Sequence, residues 1–199
     1  MTQDALRKAL SERAALTADA LERLCALFAA RGYEPSATIA GPGEPLADVF
    51  WIERGLVRVY TLGEDGAEWN KAFFDAGDFA GPFPAALEGL ASDYGVETLE
   101  PTTIWTAPYA AFCALCDRDA ACARLARRLL EDLLTMKERR ARSLQQQGAA
   151  DRYADFVSAF PTLTGRVPQF HLASFLGMSE VTLSRVKTAA AKAASRAAS

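Results

Sequence analysis

Histidine is almost missing from this chain: of 199 residues, only His171 carries an imidazole. A metal site built on several histidines is thereby excluded, and imidazole acid–base chemistry would have to use that one ring. Cysteine is scarce too. Cys25, Cys113, Cys116 and Cys122 do not make a disulfide scaffold in a chain this size, which points to a reducing cytoplasm. No run of 18 uninterrupted apolar residues occurs, so no segment reads as a membrane-spanning helix. Residues 1–16 carry Asp4 and Glu12 without a continuous apolar core and do not read as a secretory signal. Neither a Gly-x-Ser-x-Gly elbow nor a Walker loop is present. A metal-dependent jelly-roll enzyme would want histidines, and residues 1–170 hold none. The chain therefore reads as a non-enzyme.

What is present is globular: 50% hydrophobic, 24% charged, and long enough to bury a core. The net charge of −3 hides an asymmetry. Residues 1–117 hold 8 Lys+Arg against 18 Asp+Glu, a net of −10, whereas residues 118–199 hold 14 against 7, a net of +7. Such a split suggests that the second part meets a polyanion, although a solvated basic helix would look the same.

Residues 4–31 read as helical, with Thr17 and Asp19 at a cap and Leu21, Leu24, Leu27 and Phe28 at helical spacing, ended by Gly32 and Pro35. From 37 to about 107, short strands alternate with turns: Thr38–Ala40, Val49–Ile52, Leu56–Leu62, Glu68–Phe74 and Thr102–Thr106. Glu64-Asp65-Gly66 marks a hairpin between the third and fourth. This spacing predicts a sandwich or small barrel. A helix from about 117 to 147 would be about 45 Å long at 1.5 Å per residue, too long for a small domain to cover alone. Steps of four and three along it pick out Cys122, Ala126, Leu129, Leu133, Met136 and Arg140 as a seam for a second helix. Leu125, Leu130, Leu134 and Leu144 lie beside that seam and are expected to face the β domain. Gln145-Gln146-Gln147-Gly148 reads as a hinge, after which Asp151 is expected to cap a short helix.

The most specific motif is a helix-turn-helix at 168–187. Pro168 opens a helix, Leu172 and Leu176 share one face, and Ala173 permits a close crossing. Gly177 suits a left-handed terminus, Met178 fills the turn, Ser179 caps the second helix, and Leu183 and Val186 face the core. That leaves Glu180, Val181, Ser184, Arg185 and Lys187 outward, on the surface that would enter a major groove. Gln169 and His171 on the first helix join them as candidate DNA contacts, with His171 facing solvent or the DNA backbone.

At this point the chain resembles the Crp/Fnr superfamily of bacterial transcription regulators. The residues that carry the resemblance are Phe50-Trp-Ile-Glu-Arg-Gly55-Leu-Val-Arg-Val-Tyr60, Glu64-Asp-Gly66 and Phe73-Phe-Asp-Ala-Gly77-Asp-Phe-Ala-Gly81, then Val167 through Ser179 and Leu183-Ser-Arg185. The resemblance implies an α+β fold: N-terminal helices (1–36), a double-stranded β-roll of cyclic-nucleotide-binding type (37–116), a dimerisation helix (117–147) and an all-α helix-turn-helix domain (148–199). It further implies a cytoplasmic homodimer on a palindromic operator, with RNA polymerase as a partner and an unidentified small-molecule effector. Arg185 and residues 180 and 181 would read base edges, while Ser179 and Thr182 would hold phosphates. Glu180-Val181 departs from the Arg–Glu pair of the best-known member, so no operator sequence carries over. The interval 160–167 also looks short for a hairpin wing.

Cyclic-nucleotide binders of the superfamily place an Arg-Ser/Thr-Ala segment against the cyclic phosphate. Here Gly81 is followed by Pro82-Phe83-Pro84, no Lys or Arg occurs between Lys71 and Arg118, and Asp93 and Glu97 would repel an anion. Cyclic AMP is not expected as a cofactor. Phe73, Phe79, Phe83 and Tyr94 make a candidate pocket for a neutral effector, or else plain core. Cys25, Cys113, Cys116 and Cys122 are enough thiols for an iron–sulfur cluster or a dithiol switch, and equally serve as small core residues. A redox-sensing regulator, and a dimeric signalling adaptor that binds no DNA, stand as alternatives.

Overall fold

The computed structural model describes residues 3–44, 46–81 and 92–197. Two short helices open it, α1 (Asp4–Arg13) and α2 (Ala18–Leu27). The Thr17 hydroxyl accepts from the Ala20 N–H and starts the second. The expected helix over 4–31 is thus broken at residues 14–17, and its end is a strand, β1 (Ala29–Tyr33), paired antiparallel with the last strand of the roll. Ala30 and Arg31 favour helix locally, but the ladder from Ala29↔Thr106 to Tyr33↔Thr102 overrides that preference. The roll therefore begins before residue 37.

Seven further strands follow: β2 (Thr38–Ala40), β3 (Asp48–Arg54), β4 (Leu56–Leu62), β5 (Glu68–Asp75), β6 (Phe79–Ala80), β7 (Tyr94–Thr98) and β8 (Thr102–Pro108). They form two four-stranded antiparallel sheets, ordered β1-β8-β3-β6 and β2-β7-β4-β5. The β4–β5 hairpin turns where Asp65-Gly66 predicts it, with Gly66 at φ 79°. Side chains alternate. On β3, Phe50 and Ile52 enter the space between the sheets with Val57, Val59, Phe74 and Ile104, whereas Val49 and Trp51 meet α1 and α2 through Leu6, Leu10 and Leu24.

From β8 the chain enters α3 (Tyr109–Cys116) and then the long helix α4 (Ala120–Gln146), with the Asp119 carboxylate accepting from the Ala121 and Cys122 N–H groups. Next come α5 (Ala149–Ala159), a 3-10 turn (Pro161–Leu163), α6 (Gln169–Phe175) and α7 (Glu180–Ala197). Gly148, not Asp151, occupies the cap position of α5, while Asp151 lies in its first turn. No strand forms between 160 and 167, so that interval makes no hairpin wing.

β4 is buried on both faces because α6 covers the outer face of the second sheet. Leu56 and Phe73 from the sheet share a core with Phe156, Leu163, Leu172, Leu176 and Leu183. Two polar devices fix this contact. Arg166 forks onto Glu100 (2.6 Å) and reaches Asp75 (2.8 Å), tying the entry of α6 to the roll. The second centres on Asn70, which stands opposite Tyr60 on the edge strand β5, beside a β-bulge at Lys71. Its N–H donates to Ser174 Oγ (3.0 Å), its carbonyl accepts from Arg140 (2.8 Å) and its Oδ1 accepts from Arg58 (3.4 Å). Its Nδ2 donates to the His171 carbonyl (3.3 Å) and stands 3.2 Å from His171 Nδ1.

His171 accordingly faces neither solvent nor DNA, as its sequence position suggested, but is buried between α6 and β5. An Asn70 donor aimed at Nδ1 suits only the neutral ring. Burial first, then the Arg58 guanidinium, pulls the imidazole from 6.5 to about 4, against a smaller opposing pull from Glu97 and Glu68. Because the folded ring binds its proton less tightly than the unfolded one, its contribution to stability is complete above about pH 6.5 and is lost as pH falls towards 4. Replacing His171 by Asn removes that proton from the balance. In chemical denaturation at stepped pH, the wild-type chain should lose more stability than His171→Asn between 6.5 and 4; parallel profiles would show that the ring is not held neutral.

Candidate nucleic-acid interface

The two helices of the helix-turn-helix, α6 and α7, hereafter the reader, are joined as the sequence predicts. α6 ends at Leu176, and Gly177 takes φ 63°; a Cβ there would also come within 2.9 Å of Leu144 Cδ2. The Met178 N–H returns to the Ala173 carbonyl (3.1 Å), closing the turn. Ser179 Oγ accepts from the Thr182 N–H (3.2 Å) and lies 2.9 Å from the Thr182 hydroxyl, so these two candidate phosphate contacts form the cap of α7 together. Leu183 is fully buried, which sets the rotation of the helix.

That rotation leaves Glu180, Val181, Ser184, Arg185 and Lys187 exposed on one side of α7, with Thr182 at its margin and Gln169 exposed on α6. Val181 is 61% exposed, a large cost-free aliphatic surface only if something apolar meets it, such as a base methyl in a groove. Among the described residues no carboxylate pairs with Arg185 or Lys187. The side chains can therefore serve an external anion without first breaking an internal bond.

The long helix corrects the expected seam. Cys122 is fully buried against α1 and α2, Ala126 and Leu129 pack on the same core, and Met136 packs on the interior of the roll. Leu133 is half-buried and lines a small apolar hollow with Phe79, Tyr109 and Phe112. Arg140 reaches the carbonyls of Asn70 and Phe175 at 2.8 Å each, with its guanidinium over the Phe175 ring. This face of α4 is turned inward on its own chain. Leu125 faces the core as expected, but Leu130 (51% exposed) and Leu134 (60%) point away from it, and Leu144 is exposed as well. Two apolar stripes lie a residue apart on α4, and the fold shows that the chain packs the one from Cys122 to Arg140 largely against itself.

Of the expected effector pocket, the three described residues Phe73, Phe79 and Tyr94 do not come together. Phe73 stacks on Phe175 at the roll–reader contact (5.1 Å between centroids), Phe79 packs on Trp51 beneath Arg13, and Tyr94 borders the interior of the roll. Phe83 lies outside the described residues. A buried cation, Arg58, lies in the roll outside the interval 71–118: it is held by Glu97 (3.0 Å) and Glu68 and lies over Tyr60. A charged residue between Val57 and Val59 in an otherwise apolar strand was the signal for it.

The cysteines gather at the α3–α4 corner, with Cys25 buried in the core that also holds Cys122. Burial, then Cys122 and Cys113, pushes the Cys116 thiol up to about 12, and burial, then Asp119, pushes Cys122 up to about 11. Both are protonated at neutral pH, the state suited to packing. Among the described residues no three of His, Cys, Asp and Glu are grouped to hold a metal ion, and no helix is long and apolar enough to cross a membrane.

Residues 30–119 match the family model of the cyclic nucleotide-binding domain. No curated protein matches the chain in sequence. Among solved structures, FixK2 from Bradyrhizobium japonicum is similar with a TM-score of 0.76 at 21% identity, over 84% of this chain and 86% of that one. The regulator CLP of Xanthomonas campestris, described as responsive to c-di-GMP, is similar with a TM-score of 0.67 at 22% identity, over 89% and 93%. A chain from Eubacterium rectale, assigned to the Crp/Fnr family of transcriptional regulators, gives 0.67 at 15%, over 86% and 82%. The fold of this chain is that of the Crp/Fnr regulators: a cyclic nucleotide-binding-domain roll joined through one long helix to a helix-turn-helix.

Proposed function

We propose that the chain is a cytoplasmic, sequence-specific DNA-binding transcriptional regulator of Crp/Fnr type that acts as a homodimer on a palindromic operator. The observation that carries this reading is the reader itself: a correctly capped α7 whose outward face exposes Val181, Ser184, Arg185 and Lys187, the two cations without an ion-pair partner among the described residues. Arg185 reads a base edge, Val181 contacts an apolar base group, and the capped N-terminus with Ser179 and Thr182 approaches the backbone. Gln169 adds a contact from α6.

Dimerisation uses the exposed stripe of Leu130 and Leu134, continued by Lys137 and Ala141 at spacings of three and four. Paired there, two copies present their α7 helices to successive major grooves about 34 Å apart. Cyclic AMP is not the effector, because Arg58 is already neutralised by Glu68 and Glu97, and the chain has no other cation between Arg54 and Lys71 or between Lys71 and Arg118. RNA polymerase is the partner through which a bound dimer alters transcription.

Selection of bound sites from random duplexes, followed by gel shifts in rising salt, tests the DNA-binding reading. A palindromic consensus and a steep loss of affinity with salt are expected, and indifference to sequence would replace the regulator by an adaptor. On that consensus, Arg185→Ala should cost about 1–3 kcal/mol and relax one base position per half-site. Leu134→Asp places a charge on the proposed seam. By sedimentation it should weaken self-association at least about tenfold while leaving the urea unfolding of the isolated chain nearly unchanged, because Leu134 is 60% exposed.

A further inference from the structure

The basic character of the second part of the chain does not sit mainly on the reader. Residues 118–147 hold 8 Lys+Arg against 4 Asp+Glu, a net of +4, while residues 148–199 hold 6 against 3. Much of the charge on α4 lines a cleft of about 1050 Å³ bounded by α4, α5, α6 and β5, at the joint where the roll, the long helix and the helix-turn-helix meet. Lys71, Lys137, Arg139, Arg140, Arg142 and Arg152 border it. Its nearby carboxylates are already engaged: Glu131 with Arg127 (3.7 Å), Asp132 with Arg128 (3.3 Å), and Asp155 accepting from Gln147 (2.6 Å).

Arg140 is the telling member. Its Nε is buried without a hydrogen-bond partner, and no carboxylate among the described residues pairs with it. An unmatched guanidinium of this kind costs free energy that a nearby anion would offset. Because Arg140 also holds the Asn70 and Phe175 carbonyls, whatever binds beside it acts on the contact between β5 and α6. Apolar wall is supplied by Met136, Leu144 and Phe160. A space of this size, cationic on one side and apolar on another, has the dimensions of a small-molecule site.

We propose that this cleft binds a phosphorylated small molecule of nucleotide size carrying two or more negative charges, and that it is the input site of the protein. A single-charge cyclic phosphodiester would leave most of these cations unmatched. The regulatory consequence rests on the DNA-binding reading above; the binding does not, and its test contains no DNA, so either can fail alone.

Titration calorimetry of the full chain with inorganic tripolyphosphate, at an ionic strength held constant with chloride, should give one site per chain. The double variant Arg139→Ala/Arg142→Ala, both exposed and outside the packed core, should bind at least tenfold more weakly. Arg185→Ala/Lys187→Ala should bind as the unaltered chain does. No heat above the chloride control, or equal binding by the cleft variant, overturns the site. Loss in the Arg185/Lys187 variant instead would put the anion on the outer face of the reader. If Arg139→Ala/Arg142→Ala changes self-association in sedimentation and leaves the titration unmoved, a second copy covers the cleft and the assignment falls.

Discussion

Asn70 is where the molecule is joined. Its backbone N–H and carbonyl, and both ends of its amide, are each used, and together they reach three elements: Ser174 and His171 on α6, Arg140 on α4, Arg58 on β4. With 1% of its surface exposed, any one of these groups left unmatched would cost about 1–3 kcal/mol. β5 is the edge strand of its sheet, so the Asn70 N–H and carbonyl can turn away from β4 and serve α6 and α4. The reader is therefore not tethered loosely below the roll. It is indexed to one strand position, and a shift of β5 or of α4 near Arg140 cannot leave α6 where it was.

The long helix makes that indexing consequential. Along about 40 Å of α4, the inward face meets three partners in turn: Cys122 and Leu125 on the α1–α2 core, Met136 on the interior of the roll, Arg140 on the reader. A rigid rod with three attachments transmits rotation from one to the next, since no attachment can turn without the others. Its outward face, with Leu130 and Leu134, is free for a second rod. The division between the faces also explains why a single helix can serve both the intrachain coupling and the proposed pairing: neither function borrows a residue from the other.

Local signals were legible in the sequence and long-range ones were not. Asp65-Gly66 marked the hairpin, Gly177 and Ser179 marked the turn and cap of the reader, and all three act through the conformation of a few adjacent residues. Strand β7 was missed because Gly95 reads as punctuation; in the fold its missing side chain leaves room for the Tyr60 ring, which a Cβ would meet at 2.3 Å. β1 was hidden because its stability comes from β8, more than seventy residues on. His171 was misplaced for a related reason. The rotation of α6 is set by Asn70 and Phe73, and nothing in residues 168–176 reports on them. The two apolar stripes of α4 differ by one residue in phase, so periodicity alone leaves their roles interchangeable.

Electrostatics then separates the chain differently from its charge totals. The roll is acidic, yet its one fully buried cation, Arg58, is surrounded by Glu68, Glu97 and the Asn70–His171 pair. That arrangement spends the positive charge on holding the reader, and hydrogen bonds to both carboxylates keep the guanidinium charged despite its burial. Protonating His171 would add a second cation against Arg58 in a site with little water to screen it. The interior of the roll is occupied by Phe50, Ile52, Phe74 and Val96, with Tyr94 and Met136 at its edge. Among the described residues the roll thus offers packed side chains and a neutralised cation, whereas unneutralised positive charge and open volume coincide at the α4–α5 joint. In this chain the place where an anion would do most electrostatic work is also the place where it would act on Arg140, one bond from the residue that sets the reader.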